Sequence, residues 1–128
     1  MKLKSAALSG GLLDYFAAKA LGYASLKMHN GNCYQIVTDH KKQPDDSTIY
    51  DVFLKKVSPT SCSDTFLSVL KTQQIGLEPI GEGCWASYLI LDSKLIGDGF
   101  LCIYGTSPEE VVFRSFVVKT FGEEIDYE

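Results

Sequence analysis

The sequence predicts an α+β domain: a mostly antiparallel sheet with about three helices, ending in a β-hairpin followed by a helix. Three observations predict it. Residues 84–122, CWASYLILDSKLIGDGFLCIYGTSPEEVVFRSFVVKTFG, read as strand, turn, strand and a strongly signalled helix. Two further helical patterns, over 10–21 and 63–73, are separated by runs of strand composition. The length of 128 residues suits one domain spanning 1–128. A chain of this size buries roughly two-thirds of its unfolded surface, so it can be stable without metal or disulfide.

The last helix has the clearest punctuation. Ser107 precedes Pro108, and Glu110 stands three residues after Ser107. This is a capping box: the serine hydroxyl accepts from the third helical N–H while the glutamate reaches back to the Ser107 N–H. Proline suits the first helical position, where its missing N–H costs nothing. Val112, Phe113, Phe116, Val117 and Thr120 recur at spacings of three and four, with Arg114 and Lys119 outside the stripe. Gly122 supplies a left-handed stop, so the helix is expected over 107–121. Phe113 and Phe116 are expected to fold onto the hairpin. Its strands are Cys84–Leu91 and Phe100–Tyr104, and Gly97-Asp98-Gly99 offers the reversal.

From the start of the chain, Lys2, Leu3 and Lys4 alternate as a short edge strand. Ser9 can cap a helix whose buried face carries Leu13, Phe16, Ala17 and Ala20, with Gly22 ending it. This segment reads better as strand plus helix than as a signal peptide, because Asp14 and Lys19 interrupt its apolar run. Ser25–Met28 is a possible short strand, His29-Asn30-Gly31-Asn32 is turn chemistry, and Cys33–Thr38 is a strand. HKKQPDDS, residues 40–47, reads as an exposed loop, and Thr48–Val57 as a strand. Phe66, Val69 and Leu70 share a face of the helix expected over 63–73. Ile75–Ile80 is a short strand, and Gly81-Glu82-Gly83 a turn.

The net charge of −4 is uneven. Residues 1–60 hold eight lysines against five acids, +3, while 61–128 hold three lysines and one arginine against eleven acids, −7. The acids at the end are expected to form a flexible tail over about 123–128. A negative chain with a single arginine argues against nucleic-acid binding, although Lys2, Lys4, Lys27, Lys41, Lys42, Lys55 and Lys56 would be the residues to carry it. No run approaches the roughly 18 apolar residues of a membrane span, so no membrane is expected. The four cysteines, Cys33, Cys62, Cys84 and Cys102, form no CxxC pair and are expected to be reduced thiols in a cytosolic protein.

Catalytic and cofactor signatures are weak, and neither a cofactor nor a metal is expected. Ser9-Gly10-Gly11 ahead of a helix lacks a lysine at phosphate-loop spacing. The paired carboxylates each have a loop, capping or tail explanation. One constellation stands out: Cys33 lies near His29 and His40, a set that could serve as a nucleophile with its base or as metal ligands. The set lacks a fourth ligand and any local catalytic signature. Trp85, the one tryptophan, is more often core than contact, and Tyr88 and Tyr104 likewise; exposed, the three are the candidate partner surface, because the strands that carry them are apolar or aromatic on both faces. A small domain that cannot cover its own sheet often does so with a second copy. A homodimer with Trp85, Tyr88 or Tyr104 at or near the contact is therefore expected, against a monomer in which helices 10–21 and 107–121 cover the two faces.

Both ends of the chain carry a family pattern. At the start these are Leu8, Ser9, Gly10, Leu13, Asp14, Tyr15, Ala18 and Gly22; at the end Gly105, Ser107, Pro108, Arg114, Phe116, Val117, Phe121, Gly122, Glu124 and Ile125, with Trp85 and Ala86 in a W-x-A strand. In these positions the chain resembles small phage and prophage proteins of the NinX-like type. Residues 24–82 depart from that pattern. Of the family's W-x-x-G-G-P-(L/I)-I-(E/D) segment, only Gly76, Pro79 and Ile80 remain as remnants. The resemblance implies a phage or prophage source and the cytoplasm of a bacterial host, and supplies no activity. The sequence thus reads as a non-enzymatic accessory protein that binds another protein, of host or phage. The alternative is a small enzyme or metal-binding protein centred on Cys33, His29 and His40.

Overall fold

The last helix, Pro108–Phe121, is the centre of the molecule, and the other elements are arranged around it. The computed structural model describes residues 1–93 and 97–127. In chain order the strands are β1 (Lys2–Lys4), β2 (Leu26–His29), β3 (Asn32–Lys42), β4 (Thr48–Lys56), β5 (Gly76–Gly81), β6 (Cys84–Ser93), β7 (Gly97–Gly105) and β8 (Glu124–Asp126). The helices are α1 (Gly10–Ala20), α2 (Ser63–Thr72) and α3 (Pro108–Phe121), with 3-10 turns at Ser5–Ala7 and Pro59–Ser61. All strand pairs are antiparallel and form three small sheets, β1-β8, β2-β3-β4 and β5-β6-β7. The predicted α+β class, three helices and terminal hairpin-plus-helix are all present.

The cap of α3 differs in one bond. Ser107 accepts from the Glu110 N–H at 3.2 Å as expected, but Glu110 Oε1 accepts from the Thr106 N–H at 3.1 Å rather than from Ser107. The same carboxylate pairs with Arg114 at 3.2 Å. Nor is α3 a half-exposed stripe: Val111, Val112, Phe113, Ser115, Phe116, Val117 and Val118 are all buried. The cause is its position, with β6 and β7 on one side, α1 and the Ser5–Ala7 turn on another, and α2 on a third. A helix surrounded in this way has no polar face to read. Its one buried hydroxyl, Ser115, meets the buried Ser87 hydroxyl at 2.5 Å, and Ser87 donates to the Val111 carbonyl at 2.8 Å. Each buried polar atom thus has a partner.

On the other flank, Leu13, Phe16 and Ala17 of α1 enter the main core, while Ala18 joins Cys33 and Val57 in a smaller core. Tyr15 packs against both. Ser9 is the N-cap of α1 but makes no side-chain capping bond. Gly11 is required for a different reason: a β-carbon there would collide with the Gly31 carbonyl in the β2–β3 turn.

Three expectations are corrected. The acidic end as far as Tyr127 is held rather than a flexible tail: Glu124–Asp126 pair with Lys4–Lys2, Ser5 donates to the Glu123 and Gly122 carbonyls, and Tyr127 packs on Phe16 and Tyr15. Neighbouring lysines and the apolar Ile125 and Tyr127 fix it where net charge alone predicts fraying. The loop expected at 40–47 is shorter, because β3 continues to Lys42 against β4. Gly97, Asp98 and Gly99 are part of β7, paired with Ser93, Asp92 and Leu91, and not the reversal itself. Residues 94–96, between the two strands, lie outside the described residues.

Candidate protein-binding surface

The β3–β4 hairpin leaves the body as an arm. Its base is covered, since Cys33 packs with Ala18 and Val57 beneath α1. Beyond the base, all nine residues of β4 are exposed. The composition nevertheless makes a strand: Ile49, Tyr50, Val52 and Phe53 suit a pleated backbone whatever covers them. The tip closes through chemistry confined to Gln43–Ser47. Gln43 N–H donates to the Ser47 carbonyl at 2.8 Å, and Asp45 accepts from the Ser47 N–H at 3.1 Å and its hydroxyl at 2.5 Å. The Ser47 bonds stabilise the Asp45 carboxylate and hold its pKa below the usual value.

The register assigns the side chains. Ile36 stands opposite Leu54, Thr38 opposite Val52 and His40 opposite Tyr50, all on one face. The rings of His40 and Tyr50 meet edge to face with centroids 4.8 Å apart. Tyr50 is 62% exposed and Val52 67%, so this row of apolar groups is uncovered among the described residues. The other face carries Val37 opposite Phe53, Asp39 opposite Asp51, and Lys41 opposite Ile49. An exposed apolar row of this length is a partner surface more often than an accident.

The residues singled out from sequence fall elsewhere. Trp85 is partly buried against the main core, on the α3 side of β6 with Ser87 and Leu89. Tyr88 and Tyr104 point to the opposite face, so the three do not form one surface. There Tyr88 donates to Glu78 at 2.5 Å, and Tyr104 is 59% exposed. The Glu78 carboxylate, foremost by that bond, pushes the Tyr88 pKa up to about 12. A bond to Cys102 raises that of Tyr104.

Cys33, His29 and His40 do not converge either. Cys33 projects toward α1, and the two histidines project to the opposite face of the same sheet. Burial, with Asp14 nearby, pushes the Cys33 thiol up, which disfavours a nucleophilic thiolate. Among the described residues no group of three His, Cys, Asp or Glu is placed to hold a metal.

A cleft of about 300 Å³ opens where the three helices begin, lined by Gly10, Ser63 and Ser107 together with Leu13, Thr60–Cys62, Glu109 and Glu110. Asp14 anchors its rim by accepting from the Thr60 N–H at 3.1 Å and hydroxyl at 2.6 Å. The positive helix ends are met by the protein's own Glu109 and Glu110 carboxylates. Cys62 stands at the N-cap of α2. The side chain and N–H of Thr65 draw its thiol below the ordinary value, although the sulfur makes no capping bond of good geometry.

Sequence reading missed the arm as a surface. The signal was present in Ile49, Tyr50, Val52, Phe53 and Leu54, a strand apolar on both faces with only polar sequence beyond it. Among the described residues no helix is long and apolar enough to cross a membrane. In comparisons with known proteins, no protein family and no curated protein matches this chain.

Proposed function

We propose that this protein is a binding module rather than an enzyme, and that it engages another protein through the β3–β4 arm. The observation that carries the reading is the uncovered row of Ile36, Leu54, Val52 and Tyr50 along one face of the arm. An apolar, aromatic-bearing surface on a two-stranded scaffold suits a protein partner. The acidic balance of the chain and its single arginine favour protein over nucleic acid. The likeness of both chain ends to NinX-like proteins supports a phage or prophage source and a partner met in the bacterial cytoplasm.

Capture from bacterial host lysate, with mass spectrometry, tests this reading. The native chain should retain a specific protein. The variant carrying Tyr50→Ser, Val52→Ser and Leu54→Ser should lose it while keeping its circular dichroism spectrum. Retention of the same protein by the folded triple variant would sink the arm as the binding element.

A further inference from the structure

We propose that the free edge of β4 joins two copies of this chain, edge to edge, about a two-fold axis at Phe53. The inference rests on the reading of the arm as a protein-binding element, and it names one partner for it, a second copy.

The backbone supplies the first argument. Among the described residues the strand order is β2-β3-β4, so β4 is an edge. Val57 N–H donates to the Cys33 carbonyl at 3.0 Å, and Gln43 N–H to the Ser47 carbonyl at 2.8 Å. The ladder between them runs from Tyr34–Lys56 to Lys42–Thr48 without a register shift. Odd-numbered residues of β4 therefore bond to β3. Thr48, Tyr50, Val52, Leu54 and Lys56 turn their N–H and C=O groups away from it. Edges of this kind are ordinarily blunted by proline, a bulge or repeated charge. Between Thr48 and Leu54, β4 carries a single charge, Asp51, and neither proline nor bulge.

Charge selects the register. Antiparallel pairing about an axis at Phe53 sets Asp51 opposite Lys55 of the second copy, twice, and Val52 opposite Leu54, twice. Moving the axis to Val52 sets Asp51 against Phe53 and Lys55 against Ile49. Moving it to Asp51 opposes two aspartates, and moving it to Leu54 leaves Asp51 opposite Val57. Only the Phe53 axis pairs opposite charges. It also relieves a defect within the chain, because Asp51 already stands across from Asp39 on β3. Like charges directly opposite are destabilising, and a lysine on the other side of Asp51 offsets them. The joined six-stranded sheet keeps the Ile36, Val52 and Leu54 rows of both copies on one face, open to a further partner.

Sedimentation equilibrium of the full chain should give twice the chain mass of 14.1 kDa at micromolar concentration. Val52→Pro should give a monomer with an unchanged circular dichroism spectrum, since this N–H points away from β3 and an edge tolerates proline there. Lys55→Glu should weaken association about tenfold or more, and adding Asp51→Lys should restore it. Phe53→Cys should give a disulfide-linked dimer on oxidation, because facing residues that share no hydrogen bonds lie at disulfide distance. A native chain that stays at 14.1 kDa overturns the pairing and leaves lysate capture untouched. A dimer indifferent to Val52→Pro or Lys55→Glu overturns it too, since the contact then lies elsewhere. Loss of lysate capture with the dimer intact overturns only the binding role of the exposed face.

Discussion

The Arg114 guanidinium donates to the backbone carbonyl of Leu8 at 2.6 Å, joining the last helix to the first turn of the chain. It also donates to the Tyr104 carbonyl at 2.9 Å and pairs with Glu110 at 3.2 Å. One side chain thus ties together the entry to α1, the end of β7 and the first turn of α3. Leu8 near the start of the chain and Arg114 near its end are brought together here. Asp14 does similar work, holding Thr60.

Replacing Arg114 with alanine should cost about 2–4 kcal/mol, because two carbonyls lose a charged donor and Glu110 loses its partner in a mostly buried site. Arg114→Lys should recover less than half of that loss, since an ammonium cannot serve the separate Leu8 and Tyr104 directions as a planar guanidinium does. Urea denaturation of the two variants is the check. Full recovery by lysine would show that charge alone matters.

Phe116 belongs to the same main core as Phe16 and Val112 and is nearly inaccessible. Phe116→Ala should destabilise by about 3–5 kcal/mol, the range for removing a buried aromatic ring. A loss under about 1 kcal/mol in chemical denaturation would mean that the surrounding side chains close the gap.

The four cysteines should differ in reactivity. Cys62 is exposed, sits at a helix N-terminus and has its thiol drawn down chiefly by the Thr65 side chain. Cys33 is buried, and burial raises its thiol. With iodoacetamide at neutral pH, peptide mapping should find Cys62 modified first and Cys33 last. Thr65→Val should slow Cys62 a few-fold by removing the hydroxyl. Equal rates in the variant would place the cause in the helix end alone.

How much of this was legible depends on where each signal resides. Helix ends are written locally: Ser107, Pro108 and Gly122 fixed α3 to within a residue. Strand lengths are not. Asp39, His40, Lys41 and Lys42 have loop composition, yet backbone pairing with Thr48–Asp51 carries them in β3. Gly97 and Gly99 look like a turn, yet they pair with Ser93 and Leu91. The burial of α3 on every side depends on elements far away in sequence, so its period was too narrow a guide. The arm was the least legible of all. A strand's own residues make it a strand, but whether a helix covers it is decided elsewhere in the chain. Trp85 illustrates the converse: its aromatic character suggested a contact surface, and its parity along β6 places it on the core side.

The outer face of β6 offers a pH test whose sign follows from one bond. Tyr88 donates its hydroxyl to Glu78, and ionising the phenol would break that bond and set two negative groups side by side. The folded-state pKa is therefore raised, to about 12, above the value of 10.0 for an unperturbed tyrosine. A raised pKa means the contact's stabilisation is fully present below pH 10 and is lost as pH rises through about 12. Because the pair lies at the surface, its contribution to overall stability should be small. The titration itself should still be clear. The Tyr88 ring carbon signal, followed by NMR from neutral pH upward, should move only well above pH 10. Glu78→Gln removes the charge and keeps an acceptor, so the Tyr88 midpoint should fall back toward the 10.0 of an unperturbed tyrosine. A Tyr88 that titrates near 10.0 in the native protein would show that the bond to Glu78 does not persist in solution.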